Sequence, residues 1–324
     1  DKSKILSVEQ RGANAWTSMA YAFYGANNLV INASDTPSLS NVTDMTRMFH
    51  SATSLGGGTG NWSWDTSTIN TINSLFYGAS TFNKNINSWD TSSITDMRGA
   101  FAYASLYNQP LSNWDVGNVV NMSAYNYGTF QGATSFNQPL DNWNTSSVIL
   151  MESMFFQATS FNQPLNSWDT SNVQYMDYMF INATSFNQPL NAWDTSSAVN
   201  MGRMFQGAQS FNQLIGSWDT SKVTSMVAMF GAATSFNQSI DGWNTSNVND
   251  MGGMFSNATS FNQPLNSWDV SKVTRMGNFN YGMFFGAVSF NQPLDNWDTS
   301  AVTTMSYMFQ YASSFNQNIS SWDL

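Results

Sequence analysis

The chain has 324 residues and no cysteine, and its 20 acidic and 10 basic side chains give a formal net charge of −10. Charged residues are only 9% of the chain, against ~25% in an average soluble protein, so Asn, Ser, Thr, Gln and Asp must solvate it. The acidic balance argues against nucleic-acid partners and anionic lipid. The missing cysteines exclude a disulfide framework and thiolate metal sites, and the lack of a long apolar run predicts no membrane insertion.

Residues 1–63 read as divergent N-terminal coils. Trp16, Met19, Ala22, Phe23 and Ala26 occupy the apolar slots of the first, and Leu29-Val30-Ile31 reads as a strand. Gly56-Gly57-Gly58-Thr59-Gly60 reads as a loop, because no lysine follows it as a phosphate loop requires.

From Trp64 onward the chain is periodic. Trp168, Trp193 and Trp218 stand 25 residues apart, and the same step recurs along most of residues 64–324. Two steps, Trp114 to Trp143 and Trp268 to Trp297, are 29 residues long. Their four-residue insertions fall near 124–128 and 278–282 and share Asn-Tyr-Gly, which suggests a duplicated block of six coils. A period of this length signals a solenoid. Met19, Met45, Ile72 and nine later Met slots count twelve coils.

Within one coil, Val173, Met176, Met179, Phe180 and Ala183 fall at i, i+3, i+6, i+7 and i+10. That spacing predicts one face of a short helix, capped by Asp169-Thr170-Ser171. A short parallel strand is expected at Phe-Asn-Gln, stopped by Pro189 and its equivalents; Trp-Asp-Thr is the alternative. The expected fold is therefore an α/β repeat: a right-handed solenoid of about twelve 25-residue coils, each a strand plus a helix. Residues 1–324 form one domain in this reading.

Four columns repeat in register. Asn137, Asn162, Asn187, Asn212, Asn237 and Asn262 suggest an amide ladder between coils, with an exposed glycan-binding face as the alternative. Asp169, Asp194 and Asp219 suggest caps, with a calcium column as the alternative. Thr170, Thr195, Thr220 and Thr245 form a candidate surface array of the kind an ice-binding face needs, or a half-buried β-branched column. The Trp, Phe and Met columns, Trp168, Trp193 and Trp218 among them, read as core. His50 is the only histidine, and the Asp slots are equivalent by repeat rather than unique. No catalytic, cofactor-binding or metal residues are therefore assigned, and the chain reads as a non-enzyme.

The unit Met-Phe-x-x-Ala-x-Ser-Phe-Asn-Gln-Pro-Leu-x-x-Trp-Asp-x-Ser-x-Val-x-x-Met resembles the BspA-like leucine-rich-repeat surface proteins. It is more similar still to their 25-residue branch of DUF285-type repeats, found in mycoplasma lipoproteins and secreted bacterial proteins. The likeness spans about residues 15 to 324. It implies a leucine-rich-repeat solenoid, extracellular or on the cell surface, that mediates adhesion or binds a protein or glycan. Two alternatives stand beside it. One is a filament of copies stacked end to end, suggested by the mid-repeat stop at Trp322-Asp323-Leu324. The other is ice binding through the Thr/Val array.

Overall fold

The structure is a computed structural model, and it describes residues 2–124, 127–277 and 281–322. Two compact units divide the chain, Asp1–Pro164 and Leu165–Leu324. Each is a stack of coils.

The first unit opens with a 3-10 helix, Lys2–Lys4, and two short strands, β1 (Ser7–Val8) and β2 (Val30–Ile31). The strands pair in parallel, Ser7 with Val30 and Val8 with Ile31. Thus the Leu-Val-Ile strand forms where expected. In later coils the strand sits elsewhere. Parallel bridges join Asp44, Thr71, Asp96, Asn121 and Leu150 in sequence in the first unit. Tyr175, Asn200, Ser225, Asp250, Arg275 and Thr304 are joined in the same way in the second. Every bridging residue directly precedes the Met slot, so the inter-coil ladder runs through the segment expected to be helical. Neither Phe-Asn-Gln nor Trp-Asp-Thr carries it.

The helix expectation is corrected with it. Among the described residues the only helical turn is Lys2–Lys4. The hydrogen bonds show why. The N–H groups of Met176, Tyr178, Phe180 and Asn182 donate to the carbonyls of Asn200, Gly202, Met204 and Gln206 in the next coil, at 2.8–3.1 Å. The intervening N–H groups of Met179, Ile181 and Ala183 donate three residues back, to Met176, Tyr178 and Phe180. Alternate amides thus close three-residue turns, and the others tie coil to coil. An α-helix would send them all back four residues. The alternation requires left-handed backbone at two points per coil. Tyr178 and Asn182 have φ of 62° and 53°, and Arg203 and Gly207 repeat this at 58° and 69°. Three-residue turns bring every third side chain inward, so they mimic the helical spacing.

The inward side chains build a dry, stacked core. In the second unit Phe180 lies 4.1 Å from Phe186 within its coil and 5.6 Å from Phe205 in the next. Phe186 stacks on Phe211 at 6.1 Å, and Trp193 on Trp218 at 6.3 Å. The first unit repeats the pattern, with Phe130 on Phe136 at 4.1 Å and Phe136 on Phe161 at 6.0 Å. Burying each such ring stabilises the fold by about 1.5–3 kcal/mol, which is why a chain with so little regular secondary structure holds together.

The two insertions close alike. Thr129 N–H donates to the Met122 carbonyl at 3.0 Å, and Met283 N–H to that of Met276 at 2.7 Å. Tyr125, Asn126 and residues 278–280, which make up half of the two inserted segments, lie outside the described residues, as do Asp323 and Leu324.

Candidate ligand-binding face

The repeated columns occupy structural positions. Asn137 Oδ1 accepts the Asn162 N–H and the Gln163 side-chain amide, both at 3.0 Å. Asn187, Asn212, Asn237 and Asn262 do the same for the coil that follows each. One side-chain oxygen per coil therefore replaces the backbone ladder at Phe-Asn-Gln. Trp168, Trp193 and Trp218 are buried. The Trp193 and Trp218 indoles donate to the Leu165 and Leu190 carbonyls at 2.8 and 3.0 Å.

Asp169, Asp194 and Asp219 lie on the surface, and each Oδ1 accepts the N–H of the serine two residues on, at 2.9–3.0 Å. They cap turns rather than helices. The serine hydroxyl and amide hold the Asp169 and Asp219 carboxyls below the ordinary range. Among the described residues no three His, Asp or Glu side chains gather as a metal site would need.

The threonine column differs from its expected surface position. Thr170, Thr195, Thr220 and Thr245 are at most 1% exposed. Their hydroxyls donate inward to the carbonyls of Asp194, Asp219, Asn244 and Asp269 at 2.8–2.9 Å. A β-branched residue serves this slot because its methyl packs while its hydroxyl satisfies a carbonyl, so these four threonines form no flat array facing solvent.

A different set of side chains stands out on the surface. It projects from the Met-slot segment, two, five and six places after the Met. In the first unit Tyr24, His50 and Tyr77 stack in succession, with ring centroids 4.6 and 4.5 Å apart. Tyr103 meets Tyr77 edge-on at 5.3 Å, and the insertion tyrosine Tyr127 lies 6.1 Å from it. Cations flank the row: Lys2 Nζ sits 4.2 Å over Tyr24, and the Arg47 guanidinium 5.8 Å over Tyr21. Arg98 is held by Asp96 through Nε at 2.9 Å and Nη2 at 2.6 Å. Arg47, Asn73, Ser74, Arg98, Ala124 and Tyr127 line a cleft of about 210 Å³. Burial, followed by the Arg47 charge, depresses the His50 pKa. Burial, followed by Tyr103 and Tyr127, raises that of Tyr77.

The second unit carries related groups, with Tyr178, Arg203 and Tyr281 at matching slots and Arg275 directly before its Met. Arg203 lies 5.5 Å over Tyr178, Arg275 lies 3.6 Å from Asp250, and the insertion tyrosine Tyr281 is 45% exposed. The sequence reading missed this face, for its members are single residues about 25 places apart. A signal was present all the same: Tyr24, His50 and Tyr77 share one slot of consecutive coils.

A family profile described as "Mycoplasma protein of unknown function, DUF285" matches residues 17–129, 125–213, 188–282 and 280–324. The chain belongs to the DUF285 family. No curated protein sequence matches it. Among solved structures, the DUF285 chain is similar to that of a TLR13–ssRNA13 complex, at 10% identity and a TM-score of 0.32, covering 91% of this chain and 49% of that one. A leucine-rich-repeat protein of Leptospira interrogans matches at 6% identity and a TM-score of 0.22, covering 92% and 90%. The functional domain of InlJ from Listeria monocytogenes matches at 8% and 0.22, covering 90% and 73%. The DUF285 chain thus spans about half the length of the first of these. Among its described residues no helix is long and apolar enough to cross a membrane.

Proposed function

We propose that this chain is a non-enzymatic, extracellular or cell-surface binding protein, a single solenoid over residues 1–324. Its aromatic and cationic inter-coil face holds a protein or glycan ligand. One observation carries this reading. In a chain that is only 9% charged, Lys2, Arg47 and Arg98 flank one face of the first unit, where four tyrosines and His50 line up. Repeat proteins commonly use such an array as an extended binding surface, and aromatic and arginine side chains dominate binding energy where it has been dissected. Capture of extracellular proteins and glycans by the immobilised chain tests it. Arg47→Ala, Tyr77→Ala and Tyr127→Ala should each weaken the captured ligand at least tenfold, whereas Ser171→Ala, on the Asp-Thr-Ser turn, should not. Binding that is indifferent to all four substitutions rejects this face.

A further inference from the structure

The two insertion tyrosines invite a comparison, coil against coil. Tyr127 and Tyr281 are 154 residues apart in sequence, and the same shift relates Gly99 to Gly253, Tyr77 to Gly231 and Tyr103 to Asn257. In the first unit the two equivalent positions beside Tyr127 are filled by rings, Tyr77 6.1 Å from it and Tyr103 packed edge-on against Tyr77, and the cleft that Tyr127 does line is bordered instead by Arg47, Asn73, Ser74 and Arg98. In the second unit neither ring is present. What remains beside Tyr281 is a cleft of about 160 Å³, lined by Gln206, Ala228, Gly231, Ala232, Gly253, Ser256, Asn257 and Tyr281. Its volume is close to the roughly 150 Å³ that accepts a single benzene-sized ring in an engineered cavity. The first unit thus shows, within the same chain, that a six-membered ring fits against the insertion tyrosine.

The lining selects the kind of ring. None of the eight residues carries a formal charge. Gln206 and Asn257 bring primary amides and Ser256 a hydroxyl, so donors and acceptors border the space, while Tyr281, 45% exposed, offers a ring that packs against C–H groups. Gly253 lets that tyrosine approach, since a Cβ there would stand 3.3 Å from Tyr281 Cβ. Gly231 keeps the floor open: its φ is not left-handed, and a Cβ there would meet the Ala228 carbonyl at 3.3 Å and Gln206 Cγ at 3.6 Å. Hydroxyl-satisfying groups around one aromatic wall fit a neutral sugar better than an aromatic side chain, which would leave amides unpaired.

We propose that the cleft beside Tyr281 is a subsite for one neutral pyranose ring, rests on the ligand-binding reading above, and has been closed in the first unit by Tyr77 and Tyr103. Saturation-transfer NMR of the full chain with maltotriose, mannotriose, lactose and chitotriose tests it. At least one sugar should receive saturation on its ring protons. Tyr281→Ala should weaken that binding at least tenfold. So should Gly231→Tyr, which installs the first unit's own residue and should leave the thermal midpoint unchanged or raised. Ser171→Ala, on the Asp-Thr-Ser turn away from the cleft, should leave it intact. If none of the four sugars binds, or if binding survives both cleft substitutions, the subsite is overturned. Preferential binding of N-acetyltyrosinamide, lost in the same two variants, overturns the sugar in favour of a protein side chain. If the face captures a protein undiminished by Tyr281→Ala while no sugar binds, this inference alone fails; if nothing is captured at all, both readings fail.

Discussion

Asn212 Oδ1 accepts the backbone N–H of Asn237, one coil further on, at 2.9 Å. The same oxygen accepts the Gln238 side-chain amide at 3.0 Å. One half-buried atom therefore satisfies two donors of the next coil. Asn212→Ala leaves both without it, at a cost of about 1–3 kcal/mol. Thermal unfolding should show this as a clear drop in midpoint. An unchanged midpoint would mean that water replaces the oxygen at no cost and that the column is not structural.

Gly207 and Ala232 occupy one slot of successive coils, with φ of 69° and 55°. A Cβ added at Gly207 would fall 2.1 Å from Asn182 Oδ1, and left-handed backbone costs a non-glycine residue roughly 1–2 kcal/mol. Gly207→Ala should therefore destabilise by about 2 kcal/mol. Ala232→Gly should be neutral or stabilising by up to about 1 kcal/mol, because it relieves the same strain against the added flexibility of glycine. Opposite shifts in a denaturant midpoint check the pair.

Acid should act in two separate windows. The Asp65, Asp169, Asp219 and Asp269 carboxyls are held below their ordinary pKa, chiefly by the serine hydroxyl and then its amide. Their contribution is present above the unfolded carboxylate pKa and is lost as pH falls through the folded value. His50 is also depressed, mainly by burial. An unfolded His50 binds its proton first, so this loss begins nearer neutrality. Thermal midpoints measured from neutral to acid pH should fall in both ranges. His50→Gln should flatten only the upper one, and Ser171→Ala with Ser221→Ala should reduce the lower one.

The period was legible because core slots such as Phe180 and Trp193 must recur wherever coils stack. The local conformation was not. Three-residue turns with left-handed residues at Tyr178 and Asn182 place Met176, Met179 and Phe180 inward just as a helix would, and nothing in residue type marks a tyrosine as left-handed. The strand was misplaced for a related reason: at Phe-Asn-Gln the inter-coil bond is accepted by the Asn side chain, so an extended-looking segment needs no backbone ladder. The candidate face was least legible, because Tyr24, His50 and Tyr77 become one feature only once the coils are stacked.

The threonine column separates packing from hydrogen bonding. Thr195 is buried, and its hydroxyl donates to the Asp219 carbonyl at 2.9 Å. Val116 and Val270 fill the same slot in other coils and are equally buried, so the fold already accepts the methyl in place of the hydroxyl. Thr195→Val should therefore cost no more than about 1.5 kcal/mol, the net worth of one hydrogen bond. Thr195→Ala removes the same bond and also leaves a void, so it should cost more. Denaturant unfolding of the two variants decides between the terms. A loss in the valine variant as large as that in the alanine variant would mean that the bond to Asp219, which both lack, rather than the packed methyl, is what places threonine here.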